Sequence, residues 1–116
     1  MESTIEHKSY QFAINIVEMH KHLSSEKKEF VLSKQVLRSG TSIGANVSEA
    51  KGGLSKRDFI NKLNIAFKEA RETKYWLRLL YDTKYLDKEI YDPVYKDCEE
   101  ILKILFSIIR TSKLNS

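Results

Sequence analysis

The feature that most constrains this chain is the return of apolar residues every three or four positions in four successive segments. That spacing lays side chains along one face of an α-helix and does not fit the two-residue repeat of a half-buried strand. The first segment carries Ile5, Phe12, Ile16, Met19 and Leu23. In the second, Leu32, Val36, Gly40, Ile43, Val47 and Ala50 step by four, four, three, four and three. The segment therefore reads as helix although it contains the glycine- and serine-rich run RSGTSIGANVSEA. The third segment carries Phe59, Leu63, Ala66, Ala70, Leu77 and Tyr81, and the fourth Val94, Cys98, Ile101, Leu105 and Ile108.

The spacing and its breakers predict helices over about residues 5–23, 30–51, 56–83 and 88–112. SSEKKE links the first two, and Gly52-Gly53 stops the second. Ser55, followed three residues later by Asp58, resembles a capping box opening the third, which at about 27 residues would be roughly 40 Å long. Asp87 can cap the fourth helix with Pro93 in its second turn, or Asp92 can cap it with Pro93 at the first helical position. A helical turn from Lys88, bent near Pro93, is the favoured reading. The fourth helix should give way to the polar tail TSKLNS.

A chain of 116 residues fits one domain, and one proline with four glycines leaves little turn chemistry. With short links neighbours run antiparallel, so the expected architecture is all-α: a single antiparallel up-down-up-down four-helix bundle over residues 1–116. No apolar run is long enough to span a membrane, and MESTIEHKSY lacks the basic-then-apolar order of a signal peptide, which points to the cytoplasm. Cys98 is the one cysteine, so no internal disulfide forms, and its place in the apolar stripe makes it a buried small hydrophobe. A net charge of +4 favours polyanions but is common among proteins without such partners.

A bundle buries one stripe per helix, yet two helices carry a second. Tyr10, Ile14 and Val17 lie opposite Phe12, Ile16 and Met19, and Ile65, Trp76 and Leu79 project away from the stripe of the third helix, which Ile60 and Phe67 widen on the other flank. The outward side of the second helix is Arg38, Ser42, Ala45 and Glu49, where small residues would admit another backbone. Arg38 and Glu49, about three turns apart, could each meet an opposite charge from a neighbouring chain. Tyr10, Ile14 and Val17, Arg38, Ser42, Ala45 and Glu49, and Ile65, Trp76 and Leu79 are the candidate interface of a homo-oligomer. The alternative is that glycine and serine serve tight packing within one chain.

Lys68, Arg71, Lys74 and Arg78 step by three, three and four along the third helix, a basic ridge of about 15 Å. Lys56 and Arg57 extend it to the helix start, where the helix dipole favours anions. These six are the candidate phosphate-binding residues for RNA or DNA. The alternative is a plain solvated face, since Glu69 and Glu72 alternate with the bases and Lys68 stands four residues before Glu72. Tyr75 and Trp76 can stack on unpaired bases or, more commonly for such residues, pack in a contact between subunits. No sequence-reading nucleic-acid motif is present, so binding would follow the backbone and respond to salt.

The residues argue against catalysis. No Glu-x-x-His occurs, and His7, His20 and His22 all lie near the start, the last two where a helix C-terminal dipole suits imidazolium. Gly40 and Gly44 lack the Lys-Ser/Thr of a phosphate loop, and Ser39, Ser42 and Ser48 have no histidine at a suggestive spacing. No metal and no cofactor is expected. Asn46-Val47-Ser48 matches a glycosylation acceptor only by chance.

LRSGTSIGANVSEAKGGLSKRDFINKLNIAFKEARETKYWLRLL, residues 37–80, resembles the signature region of the small bacterial 23S rRNA intervening-sequence proteins, also labelled S23 ribosomal proteins. The likeness rests on Arg38, Ser42-Ile43, Asn46, Ser48, Glu49, Gly52-Gly53 and Ser55-Lys56-Arg57-Asp58-Phe59, and extends more weakly through Leu86-Asp87 into the last helix. Ala50 stands where that family commonly has Gly, and Ser48 where Ala is frequent, both small for small. The family is similar to the accessory protein of diversity-generating retroelements, a homopentameric barrel that binds nucleic acid and a reverse transcriptase. The resemblance implies a four-helix bundle, a homo-oligomer with the pentamer favoured, and nucleic-acid binding. It does not imply a known molecular activity, and the "ribosomal" label reports gene location as much as biochemistry. The rival reading is a scaffold that recruits a protein partner such as a polymerase.

Overall fold

Four apolar stripes that cannot be buried singly meet in a common core. The computed structural model describes residues 4–115, which form α1 (Thr4–Ser25), α2 (Leu32–Lys51), α3 (Lys56–Asp82) and α4 (Lys88–Leu114). Each helix packs on two others, α1 on α2 and α4, and α3 on the same pair, with no close backbone approach across either diagonal. The body measures 47 × 24 × 20 Å, its long axis set by the helices. Phe12, Ile16, Leu23, Val36, Ile43, Leu63, Leu77, Leu80, Ile101 and Leu105 are essentially shut off from solvent. Each contributes about 1.5–3 kcal/mol of transfer free energy.

Leu32 and Phe59, expected in the core stripes, are half-buried against it, and two other stripe positions shift by one residue. Leu80 and Ile109 are buried where Tyr81 and Ile108 were expected, and the latter two are half-buried at the edge. Thr73 explains the first shift. It fills the α3 stripe between Ala70 and Leu77, and its hydroxyl lies 2.9 Å from that of Ser39 and 2.7 Å from the Glu69 carbonyl. A step of seven from Thr73 then reaches Leu80. Tyr81 instead stacks on Tyr91 of α4, with centroids 4.2 Å apart.

The glycines of α2 serve packing inside the chain. A Cβ at Gly40 would stand 2.9 Å from Ile16 Cγ1 and 3.0 Å from its Cγ2, and one at Gly44 would stand 3.2 Å from the Ser9 carbonyl oxygen. Both positions let the α1 and α2 backbones approach, while Ser39 faces α3. At the other end of the same segment Gly53 donates to the Ala50 carbonyl, which lies 3.0 Å from where a Cβ would sit.

The helix ends follow local chemistry. α2 begins at Leu32, two residues later than the periodicity suggested, because the buried Glu29 carboxylate collects the first free N–H groups: Val31 and Leu32 at 3.2 Å and Ser33 at 2.7 Å. Ser55 caps α3, its hydroxyl accepting from Asp58 N at 3.1 Å. α3 ends in a Schellman pattern, Tyr85 N to Leu80 O and Lys84 N to Tyr81 O, with Lys84 in the left-handed region at φ 70°. α4 starts at Lys88 after Asp87, whose side chain makes no cap bond, and runs through Pro93. It continues to Leu114, through residues assigned from the sequence to a polar tail.

Candidate functional site

α3 turns one side to α2 and another to α4, and its charges divide between them. Toward α2, Arg38 donates to Glu69 at 3.2 Å and to Glu72, and Trp76 Nε1 also donates to Glu72 at 3.2 Å. The two carboxylates that alternate with the bases in the sequence are therefore drawn to the α2 side, and Glu72 is not left to Lys68. Toward α4, Arg71, Lys74 and Arg78 line a groove of about 480 Å³ together with Phe67, Tyr75 and, from α4, Leu102, Lys103 and Phe106.

This groove is cationic with an aromatic lining. Tyr75 and Phe106 are 60% and 57% exposed. Phe67 backs Phe106 at 6.3 Å between centroids. Lys74 is partly neutralised by Glu99 at 3.4 Å and sits 5.5 Å over the Tyr95 ring. Tyr95 meets Tyr91 in a tilted pair with centroids 5.1 Å apart, and Tyr91 stacks on Tyr81, so three tyrosines tie α3 to α4 beside Lys74. Burial raises the Tyr91 hydroxyl above its ordinary pKa. Arg71, Arg78 and Lys103 form no ion pair with any described residue.

Three of the six candidate phosphate ligands, Arg71, Lys74 and Arg78, thus come together. Lys68 is exposed but does not line the groove, and Lys56 and Arg57 are exposed at the α3 start. Arg57 precedes Arg71 by about 21 Å of helix rise. Tyr75 and Trp76 also separate: Tyr75 lines the groove, whereas half-buried Trp76 packs against the core. Sequence reasoning missed Lys103, Phe106 and Leu102. Their signal was an apolar pair four residues apart on α4, beside a lysine and off the main stripe.

On the outer face of α1, Tyr10, Ile14 and Val17 line a shallow depression with Ala13 and Glu18. Tyr10 is 64% exposed and Ile65 on α3 43%, while Leu79 is half-buried. On α2, Ala45 is exposed and Ser42 donates to the Arg38 carbonyl at 2.6 Å. Arg38 and Glu49, considered from the sequence for a neighbouring chain's charges, have partners on α3 of the same chain: Glu69 and Glu72 for Arg38, and Lys62 at 3.5 Å for Glu49.

Other reactive groups are occupied or enclosed. His20 Nδ1 lies 3.3 Å from the Ser33 carbonyl, linking α1 to α2. Burial pushes the Cys98 thiol up to about 12, and its Sγ donates to the Ala70 carbonyl at 3.3 Å, so it is a packing group. Among the described residues no three His, Cys, Asp or Glu side chains converge as metal ligands, and no helix is long and apolar enough to cross a membrane.

The arrangement has counterparts. Residues 1–107 match the family described as 23S rRNA-intervening sequence protein. The fold superposes with a TM-score of 0.90 on the crystal structure of a protein with unknown function from the S23 ribosomal protein family of Bacteroides thetaiotaomicron VPI-5482. The two are 57% identical over 91% of this chain and 98% of that one. No relative was found among curated proteins. Sequence match and fold agree, and the chain belongs to the 23S rRNA-intervening sequence protein family.

Proposed function

We propose that the protein is a non-enzymatic, cytoplasmic nucleic-acid-binding protein that holds the phosphate backbone of RNA or DNA against the α3–α4 face. The observation that carries this reading is the sorting of charge on α3. Arg38 draws Glu69 and Glu72 toward α2, and Arg71, Lys74, Arg78 and Lys103 are left around one groove. Four cations with little internal neutralisation attract a polyanion and release its counterions on contact.

The working assembly in this proposal is a homo-oligomer, with a ring of five favoured, built from bundles in up-down-up-down order. Contacts between Glu6 and Lys51, Ser9 and Gly44, Ile16 and Gly40, and His20 and Ser33 support an antiparallel α1–α2 pair. Exposed Tyr10, Ile14 and Ile65 support self-association, because uncovered apolar area of this kind favours a partner surface. A ring would repeat the basic face around its circumference.

The test is fluorescence anisotropy with labelled RNA and DNA across a salt series, alongside light scattering for mass. If three or four cations meet phosphates of a single strand, affinity should fall about 20- to 50-fold from 50 to 200 mM salt per protomer engaged. Arg71→Gln with Arg78→Gln should flatten that slope. Absence of saturable binding at about 50–100 mM salt, with the assembly intact, refutes the proposal and leaves the protein-recruiting scaffold as the better account.

A further inference from the structure

We infer that the α3–α4 groove selects unpaired nucleotides, with Tyr75 and Phe106 stacking on exposed bases while Arg71, Arg78 and Lys103 hold the adjoining phosphates. This rests on the nucleic-acid reading above and narrows it from a polyanion to a single strand.

A smooth cationic surface would suffice for a duplex backbone. This groove has in addition two aromatic side chains more than half exposed, one of them a phenylalanine that water cannot hydrogen-bond. Phe106 is supported from behind by Phe67, and Tyr75 meets Trp76 edge-on with centroids 5.1 Å apart, so neither ring is a loose surface side chain. A ligand matching the site must present a flat apolar face and negative charge together. In a duplex the base faces are covered by their neighbours; in a single strand they can be splayed onto aromatic rings. From Arg71 to Arg78 the helix rises about 10 Å, enough to meet phosphates of successive nucleotides. A groove of about 480 Å³ lies within the range of sites that enclose small organic ligands. An acidic peptide would satisfy the cations but leave the rings unused.

The experiment compares a labelled RNA of about a dozen nucleotides without self-complementarity, a size within single-strand site ranges, with the duplex of the same sequence and with polyglutamate. Tyr75→Ala and Phe106→Ala remove exposed side chains and should leave the far-UV circular dichroism unchanged. Each should weaken single-strand binding by about 5- to 150-fold while leaving duplex binding unaltered. Phe106→Trp should restore affinity and show tryptophan quenching when RNA is added. Equal affinity for single strand and duplex, with no response to the aromatic substitutions, overturns the inference and leaves the nucleic-acid reading standing. Polyglutamate bound as tightly as single strand overturns it in favour of an acidic protein partner. No saturable binding of either nucleic acid refutes both.

Discussion

Replacing Gly40 by alanine sets two known effects against each other. In a helix interior alanine is favoured over glycine by about 1 kcal/mol. Here, however, the new methyl would lie 2.9, 3.0 and 3.2 Å from Cγ1, Cγ2 and Cδ1 of Ile16, where carbon pairs prefer about 3.5–4.0 Å. Ile16 is fully buried and β-branched in a helix, so one χ1 rotamer dominates and the three carbons cannot all swing away. Overpacking of this kind costs about 1–3 kcal/mol. The clash wins: Gly40→Ala should destabilise by about 1 kcal/mol and lower Tm by about 4 °C. In an Ile16→Ala background, itself costing about 2–5 kcal/mol, the methyl enters vacated space and the same change should stabilise by about 1 kcal/mol. The double-mutant cycle then yields a coupling of about 2 kcal/mol. Gly52→Ala is the control, since its Cβ would meet only the Glu49 carbonyl at 3.8 Å and its φ is −86°. It should be neutral or stabilising by up to about 1 kcal/mol. Urea denaturation followed by far-UV circular dichroism, at one protomer concentration, measures all of these. A stabilising Gly40→Ala in the native background would refute the claim that α1 demands glycine there.

Three further outcomes follow from the geometry. Glu29→Ala strips the α2 start of a carboxylate that accepts three N–H bonds and should cost about 2 kcal/mol, with Glu29→Gln about half as damaging; urea midpoints check this, and an alanine variant of native stability would remove Glu29 as the cap. Cys98 should resist thiol reagents in the native protein at neutral pH and react fully in urea, because burial holds it protonated, whereas rapid native labelling would place it outside the core. Lys8 and Glu100 join α1 to α4 at 2.7 Å; their hydrogen bond holds the Glu100 carboxyl below its ordinary pKa and raises that of Lys8. The pair's contribution is therefore complete between the ordinary carboxylate and lysine values. It is lost as pH falls through the lowered Glu100 pKa or rises through the raised Lys8 pKa, so the stability gap between wild type and Glu100→Gln should close on acidification below about pH 4.

The four helices and most of their buried positions were legible in the sequence because helical period is a local property. Three or four residues per step, a serine three before an aspartate and a pair of glycines each act within one or two turns. Where a second helix decides the outcome, that reasoning stopped. RSGTSIGANVSEA reads correctly as helix, but whether its small residues admit a neighbouring chain or a neighbouring helix depends on Ile16 and Ser9, far away along the chain. Leu80 takes the core place expected for Tyr81 because Thr73 sets the α3 stripe against Ser39 of α2, and Tyr81 stacks on Tyr91 of α4. The basic ridge was visible at Arg71, Lys74 and Arg78, yet in the sequence Glu69 and Glu72 alternate with the bases and Lys68 stands four residues before Glu72. Only the packing of α2 on α3 brings Arg38 to those carboxylates, and only the packing of α4 adds Lys103 and Phe106 to the groove. Periodicity determines which face of each helix is apolar; which charges neutralise one another is decided by distances across helices, and those exist only once the bundle has formed.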